Sequence, residues 1–108
     1  MTGHPTVHQV ARVTLRGDGQ GYLRAEHVTT GDFAAVAFPE TTPAEDRRVV
    51  LDLGNVVGFA PGAVQRIAQH LLDARAGVVQ VESTQKSAMR QTFAASLAEA
   101  LAQGSGAR

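Results

Sequence analysis

The stretch RVVLDLGNVVGFAPGAVQRIAQHLLDARAGVVQV, residues 48–81, decides the fold. It begins with an apolar run at 49–53 that is interrupted by Asp52 and fits a buried strand. A helical pattern follows over 61–75, and a second apolar run begins at Val78. A strand, a helix and a strand of this length form a βαβ unit, in which the strands are parallel and the helix crosses one face of the sheet.

The helix at 61–75 carries its apolar residues on one side, which predicts a face packed on the sheet. Pro61 suits the first helical turn because its missing N–H is not needed there. Gly77 is the expected C-cap. The apolar positions follow the spacing i, i+3, i+4, i+7 and i+8, at Val64, Ile67, Ala68, Leu71 and Leu72.

Upstream, imperfect alternation at 7–15 and a short apolar stretch at 22–25 flank the glycine-rich segment 17–21. This pattern predicts a β-hairpin from about Val7 to His27. The apolar segment from Phe33 to Phe38 fits a short helix or a strand, and periodicity does not decide between them. Residues 40–46 fit a surface loop or a short capped turn.

Downstream, a second amphipathic helix is predicted over 85–103. Residues 1–6 and 104–108 are expected to be loose ends of a single domain spanning 1–108. The apolar positions of this helix recur every four residues, at Met89, Phe93, Leu97 and Leu101.

Composition restricts the function classes. Ten basic residues balance ten acidic ones, so the chain lacks the basic excess of nucleic-acid-binding proteins. There is no cysteine, which excludes disulfides and thiolate metal sites. We expect no membrane span, because no apolar run approaches the length that one needs. A cytoplasmic protein without cofactor or metal is the simplest expectation.

Three motifs have ordinary explanations. Ser83 and Lys86 match the S-x-x-K pattern of serine acyl-enzymes, but the companion elements are absent. His4 and His8 have helical metal-ligand spacing in a segment that Pro5 makes extended. The glycines at 17–21 resemble a phosphate loop in composition alone, because no Lys-Ser or Lys-Thr pair follows.

Asp52 leaves two interpretations open. A carboxylate inside an apolar strand is costly unless it is paired or hydrogen-bonded. Asp52 is either a site acid near the carboxyl end of the strand, or a residue that points to a sheet edge or caps the turn at 54–55.

The chain resembles a STAS domain, the fold of the anti-sigma factor antagonists. That family shows a strand of the form VVLDLSGV, the connector F-I-D-S-S-G-L, a helix, an apolar strand and a final helix. Here Val49-Val50-Leu51-Asp52-Leu53-Gly54-Asn55-Val56 matches the strand, and the later elements follow in the same order. The resemblance covers roughly the C-terminal 60 residues.

The sequence departs from the family at its switch. Read without gaps, the phosphorylatable serine of the family falls at Pro61 or Gly62, which carry no hydroxyl. No Ser or Thr lies between Thr42 and Ser83. The resemblance therefore implies a STAS domain that is not switched by phosphorylation at the usual position.

Taken together, these observations predict an α/β domain with a mixed sheet of about four strands and two longer helices, STAS-like. The resemblance implies a non-enzymatic regulatory module of bacterial type that docks onto a partner protein, an anti-sigma factor or kinase-like regulator, through the strand-to-helix connector. Two alternatives are a structural subunit that self-associates through the Ala-rich helix, for example as a homodimer, and a small ligand-binding domain with its site near Asp52.

The expected docking surface spans the connector and the start of the helix. Phe59 is its expected apolar anchor, because an exposed aromatic residue beside small residues is typical of a binding hot spot. The predicted partner-binding residues are Asp52, Asn55, Gly58, Phe59, Pro61, Gly62, Gln65 and Arg66.

Overall fold

A computed structural model describes residues 10–84 and 87–106 of the chain. The elements of this part are five strands, three short 3₁₀ helices and two α-helices. In chain order they are β1 (Val10–Thr14), β2 (Tyr22–Leu23), 3₁₀ helices at Ala25–His27, Thr30–Phe33 and Ala44–Asp46, β3 (Arg48–Asp52), β4 (Gly58–Phe59), α1 (Pro61–Asp73), β5 (Val78–Glu82) and α2 (Ser87–Gly106).

The predicted βαβ unit is confirmed. β3 pairs with β5 in parallel, and α1 connects them. β1 pairs with the other edge of β3, also in parallel, so the order is β1-β3-β5. In this register Val13, Leu51 and Val81 lie side by side.

The single mixed sheet of about four strands is a wrong prediction, and so is the hairpin at the start of the chain. Within the described residues, the strands form a three-stranded sheet and a separate two-stranded sheet of β2 and β4, both parallel. β1 and β2 do not pair with each other. Segment 17–21 forms a local loop, closed by hydrogen bonds from the Asp18 N–H to the Tyr22 carbonyl and from the Gly21 N–H to the Asp18 carbonyl.

One face of the three-stranded sheet is packed against the helices. Val49, Leu51 and Leu53 alternate along β3 and its end, and all three are fully buried. The predicted stripe of α1 faces this core, with Leu72 half-buried at its margin. From α2, Phe93 and Leu97 are buried in the same cluster, as predicted, while Met89 and Leu101 pack against it half-buried.

Residues 33–38 form neither the short helix nor the strand that the sequence left open for them. A 3₁₀ helix ends at Phe33 and is followed by turn and irregular backbone. Thr29 caps this helix: its hydroxyl accepts from the Asp32 N–H at 3.3 Å, and its own N–H donates to the Asp32 carboxylate at 3.0 Å. The Phe33 ring stacks on His70 of α1 with centroids 4.7 Å apart, which fixes the segment on the helix.

The end of α1 differs from the prediction in length and in its cap. The helix ends at Asp73, and the residue with positive φ is Arg75 (φ 60°), not Gly77. The Arg75 N–H donates to the Leu72 carbonyl and the Ala76 N–H to the Leu71 carbonyl, both at 3.0 Å. These two bonds make a Schellman motif with an arginine in the left-handed position that glycine usually occupies.

Gly77 is required by close packing. A Cβ atom at this position would lie 1.8 Å from the carbonyl oxygen of Ala44, in the 3₁₀ helix that precedes β3.

At the C-terminal end of the described chain, Gly104 belongs to α2, where a Cβ would lie 2.5 Å from Leu72 Cδ1. The expectation of a loose tail from 104 is therefore wrong for residues 104–106, and residues 1–6, 107 and 108 lie outside the described part.

We expect Gly77→Ala to lower the free energy of unfolding by about 2 kcal/mol or more, because a methyl group there overlaps backbone that cannot move freely. Urea denaturation measures the change. Gly19→Ala is the matched control, since a Cβ at that position meets nothing within 4 Å. Equal stability of the two variants would contradict the packing argument.

A second prediction concerns the strained cap. Arg75→Gly and Arg75→Ala both remove the weak hydrogen bond from the side chain to the Phe38 carbonyl, at 3.4 Å. They differ in the cost of a positive φ, so the glycine variant should be more stable than the alanine variant by about 1 kcal/mol. The difference in denaturation midpoint at constant slope measures it, and an alanine variant of equal stability would show that the cap is unstrained.

Candidate functional site

The connector from β3 to α1, residues 53–60, is held in place by backbone hydrogen bonds. Gly54 has a positive φ of 53°. The Val57 N–H donates to the Gly21 carbonyl and the Ala60 N–H to the Leu23 carbonyl, both at 2.8 Å. These bonds flank the pairing of β4 with β2, so the connector and the 17–23 segment form one surface.

The structure supports the second interpretation of Asp52. Its Oδ1 accepts the Gly54 N–H at 3.0 Å, which caps the turn. Its Oδ2 lies 3.3 Å from Nη1 of Arg12, and the same nitrogen lies 3.0 Å from Oε1 of Glu82. Asp52 therefore shares one arginine with Glu82 on the sheet face that is opposite α1 and α2.

Phe59 is not an exposed anchor. Its side chain is half-buried and meets the fully buried ring of Phe93 edge-on, with centroids 5.0 Å apart and planes at 82°. The expectation of an exposed ring is wrong, because β4 directs Phe59 toward the core cluster. With Pro61 and Gln65, Phe59 lines one side of a cleft of about 280 Å³ whose other side is α2.

The eight predicted partner-binding residues do not form one cluster. Asn55 is exposed, and its Oδ1 lies 3.2 Å from the Thr84 hydroxyl oxygen. Arg66 is exposed on α1. The eight residues lie in four places. Asp52 and Asn55 lie at the end of β3, and Phe59, Pro61 and Gln65 line the cleft between α1 and α2. Gly58 lies against Tyr22, Gly62 lies against Ala25, and Arg66 is apart from the others.

Sequence reasoning missed the exposed apolar side chains of this surface. Among the described residues, three large apolar side chains are exposed: Val10, Tyr22 and Val57. Tyr22 lies across Gly58, where a Cβ would come within 3.1 Å of its ring. Val57 precedes Gly58 and is 54% exposed. We call these two side chains the Tyr22/Val57 patch.

A positively charged side chain, Arg24, borders the patch. The Arg24 guanidinium lies 5.2 Å from the centroid of the Tyr22 ring, within the range of a cation–π interaction. The same guanidinium is 3.0 Å from Oδ2 of Asp18. The sequence signal for this patch is the adjacent apolar pair Val56-Val57. In the structure Val56 is buried and Val57 is exposed.

Asp18 organises the loop beneath the patch. Its Oδ1 accepts the Gln20 N–H at 2.8 Å and the Tyr22 N–H at 3.1 Å. The hydrogen bonds from the Tyr22 and Gln20 N–H groups, together with the positive charge of Arg24, lower the pKa of the Asp18 carboxyl below its usual value. The ionised carboxylate is therefore part of the folded structure of the loop.

Of the other motifs, the structure describes only some of the residues. Among residues 10–84 and 87–106, no three His, Cys, Asp or Glu side chains are grouped as metal ligands. The Thr84 hydroxyl donates to the Gly54 carbonyl at 2.7 Å, which joins the end of β5 to the connector. Lys86, His4 and His8 lie outside the described residues.

Comparison with known proteins gives no relative. No family model, no curated protein and no solved structure matches this chain. No helix in the described part of the chain combines the length and apolarity needed to cross a membrane.

Asp18→Asn should make the free energy of unfolding depend less on pH in the acidic range. A carboxyl whose pKa is lowered by folding stabilises the protein above its unfolded pKa of about 3.9, and that contribution is lost as the pH falls through the folded pKa. The wild type should therefore lose stability more steeply below about pH 4 than the variant, which should be less stable near neutrality.

Thermal unfolding at a series of pH values between 2.5 and 7 tests this expectation. Asp32→Asn is a useful comparison, because it removes a carboxylate that caps a different turn. Parallel curves for the wild type and Asp18→Asn would show that the loop does not depend on the charge of Asp18.

Proposed function

We propose that this chain is a non-enzymatic regulatory module, similar to the anti-sigma factor antagonists, that docks onto a partner protein in the cytoplasm. The partner class is an anti-sigma factor or a kinase-like regulator. The docking surface is the connector together with the Tyr22/Val57 patch. The observation that carries the proposal is this exposed apolar patch on a backbone that is fixed from both sides.

The chemistry of the patch suits a protein partner. Tyrosine and arginine are enriched among residues that dominate binding energy, and here Tyr22 and Arg24 are already stacked. Because β2 and β4 hold the patch in one conformation, docking costs little ordering entropy. A small apolar patch on a fixed backbone fits recognition better than catalysis.

The composition of the connector supports a binding role. Residues 54–62 contain no Ser, Thr, Lys, His or acidic side chain that could act as a nucleophile or a general base. Pro61 and Gly62 stand where the resembling family carries its phosphorylated serine. Docking through this connector is therefore proposed to be independent of phosphorylation at that position.

The order of elements also supports the proposal. From β3 onward the chain runs through strand, connector, helix, strand and helix, as the resemblance implies. The three main strands are parallel, so their carboxyl ends, and the connector that follows β3, lie at one edge of the sheet.

Val57→Asp should weaken partner binding by at least about tenfold, because a desolvated carboxylate would replace an apolar contact at the centre of the surface. The protein should keep its stability within about 0.5 kcal/mol, since the side chain is mostly in solvent. Quantitative pull-down from the native host with the tagged chain, followed by a binding titration with the captured partner, measures the effect.

Val10→Asp is the matched control. Val10 is 52% exposed, close to the exposure of Val57, but it lies at the start of an edge strand away from the connector. A partner lost by Val57→Asp and kept by Val10→Asp would support docking through the patch. A partner kept equally by both folded variants would overturn the proposal.

A further inference from the structure

A second concavity lies beside the patch, at the carboxyl ends of β1 and β3. It has a volume of about 410 Å³. Its lining combines the ends of two parallel strands with the loop that Asp18 organises. The lining residues are Thr14, Leu15, Arg16, Asp18, Gly54 and Asn55.

The two carboxylates nearest to this cavity already have hydrogen-bond and ion-pair partners. Asp18 accepts two backbone N–H groups and pairs with Arg24 at 3.0 Å. Asp52 accepts the Gly54 N–H and lies 3.3 Å from Arg12. Arg24 is therefore paired with Asp18, and Arg12 is shared between Asp52 and Glu82.

Arg16 is the exception among the arginines near this edge. Its guanidinium lines the cavity and has no hydrogen-bond or ion-pair partner among the described residues. The Asn55 side chain is exposed, and its amide nitrogen carries two N–H donors, of which the single contact with Thr84 can use at most one. The cavity thus combines an unpaired positive charge and an amide donor with acids that are already paired.

We propose that this cavity binds an oxyanion, a carboxylate or a phosphate group, with Arg16 as the charged donor and Asn55 as a second donor. The planar guanidinium matches two oxygens of such a group at once, which gives charge-assisted hydrogen bonds. The open mouth of the cavity limits the affinity to the weak range typical of a single pair of donors. The site does not require the docking function, because its charged donor, Arg16, lies outside the proposed docking surface, while Asn55 belongs to the connector.

The oxyanion can come from two sources that share this chemistry. One is a small phosphorylated or carboxylated molecule. The other is an acidic side chain of a protein docked on the neighbouring connector. The cavity and the patch adjoin each other through the Asn55 to Val57 segment, so a docked partner could reach Arg16.

The test is a ¹H–¹⁵N NMR titration of the full chain with inorganic phosphate at constant ionic strength. Saturable shifts are expected at the Gly54 and Asn55 amides and at the Arg16 Nε–H. Arg16→Gln should weaken binding by about tenfold or more, since it removes a charged hydrogen-bond donor. Arg90→Gln is the control, because Arg90 is exposed on α2, away from the cavity.

The two sources are separated by a parallel titration with N-acetyl-aspartate amide. Tighter binding of phosphate would assign the site to phosphorylated small molecules, and tighter binding of the aspartate analogue would assign it to an acidic side chain. Absence of saturable shifts with either probe, or equal binding by wild type and Arg16→Gln, would overturn the proposal. Because neither titration contains a partner protein, its failure leaves the docking proposal to be judged by the Val57 experiment alone.

Discussion

The burial of the central strand β3 is the constraint on which the other elements depend. β3 is hydrogen-bonded on both edges, to β1 and to β5, and Val49, Leu51 and Leu53 are removed from solvent on one face. Each fully buried side chain of this kind contributes about 2 kcal/mol of transfer free energy. Because both pairings are parallel, the chain must cross over between strands, and α1 is one of those crossovers.

Parallel pairing also determines where the candidate sites lie. Parallel strands end at one edge, so the segments that follow β1, β3 and β5 meet there. The structure shows this meeting in two contacts: the Thr84 hydroxyl donates to the Gly54 carbonyl, and the Leu15 N–H donates to the Asp52 carbonyl at 2.9 Å. The connector owes its fixed shape to these neighbours, because its own residues are mostly small.

The parts of the fold that were predicted correctly are those with local periodicity. The stripe of α1, the spacing of Phe93 and Leu97, and the apolar run of β3 each specify an element and its buried face without reference to distant residues. The prediction failed where pairing is non-local. β2 and β4 contain two residues each, and their partners are 36 positions apart, so no window of sequence shows that Tyr22 lies beside Gly58.

The same reason explains the outcome for the candidate site. Its aromatic ring and its place in a connector make Phe59 the expected anchor, but the pairing of β4 with β2 directs the ring toward Phe93. Val57, which directly precedes β4, is the side chain that stays in solvent. Asp52 was ambiguous for a different reason. Whether a carboxylate in a strand is a cap or a site acid depends on its neighbours across the sheet, and Arg12 and Glu82 are 40 and 30 positions away from Asp52.

The loop at 17–22 connects the two proposed sites physically. Asp18 fixes the Tyr22 N–H and also lines the cavity next to Arg16, while Gly21, with a φ of 83°, lies so close to the connector that a Cβ would be 3.0 Å from the Asn55 carbonyl. A displacement of this loop would therefore move the aromatic ring of the patch and the wall of the cavity together. If an acidic side chain of a partner occupies the cavity, its charge neutralises Arg16 while the patch holds the partner's apolar contact, and the two interactions act on one rigid segment. Since backbone hydrogen bonds already hold that segment, the first contact brings the second within reach of the same partner, and the two contacts should strengthen each other.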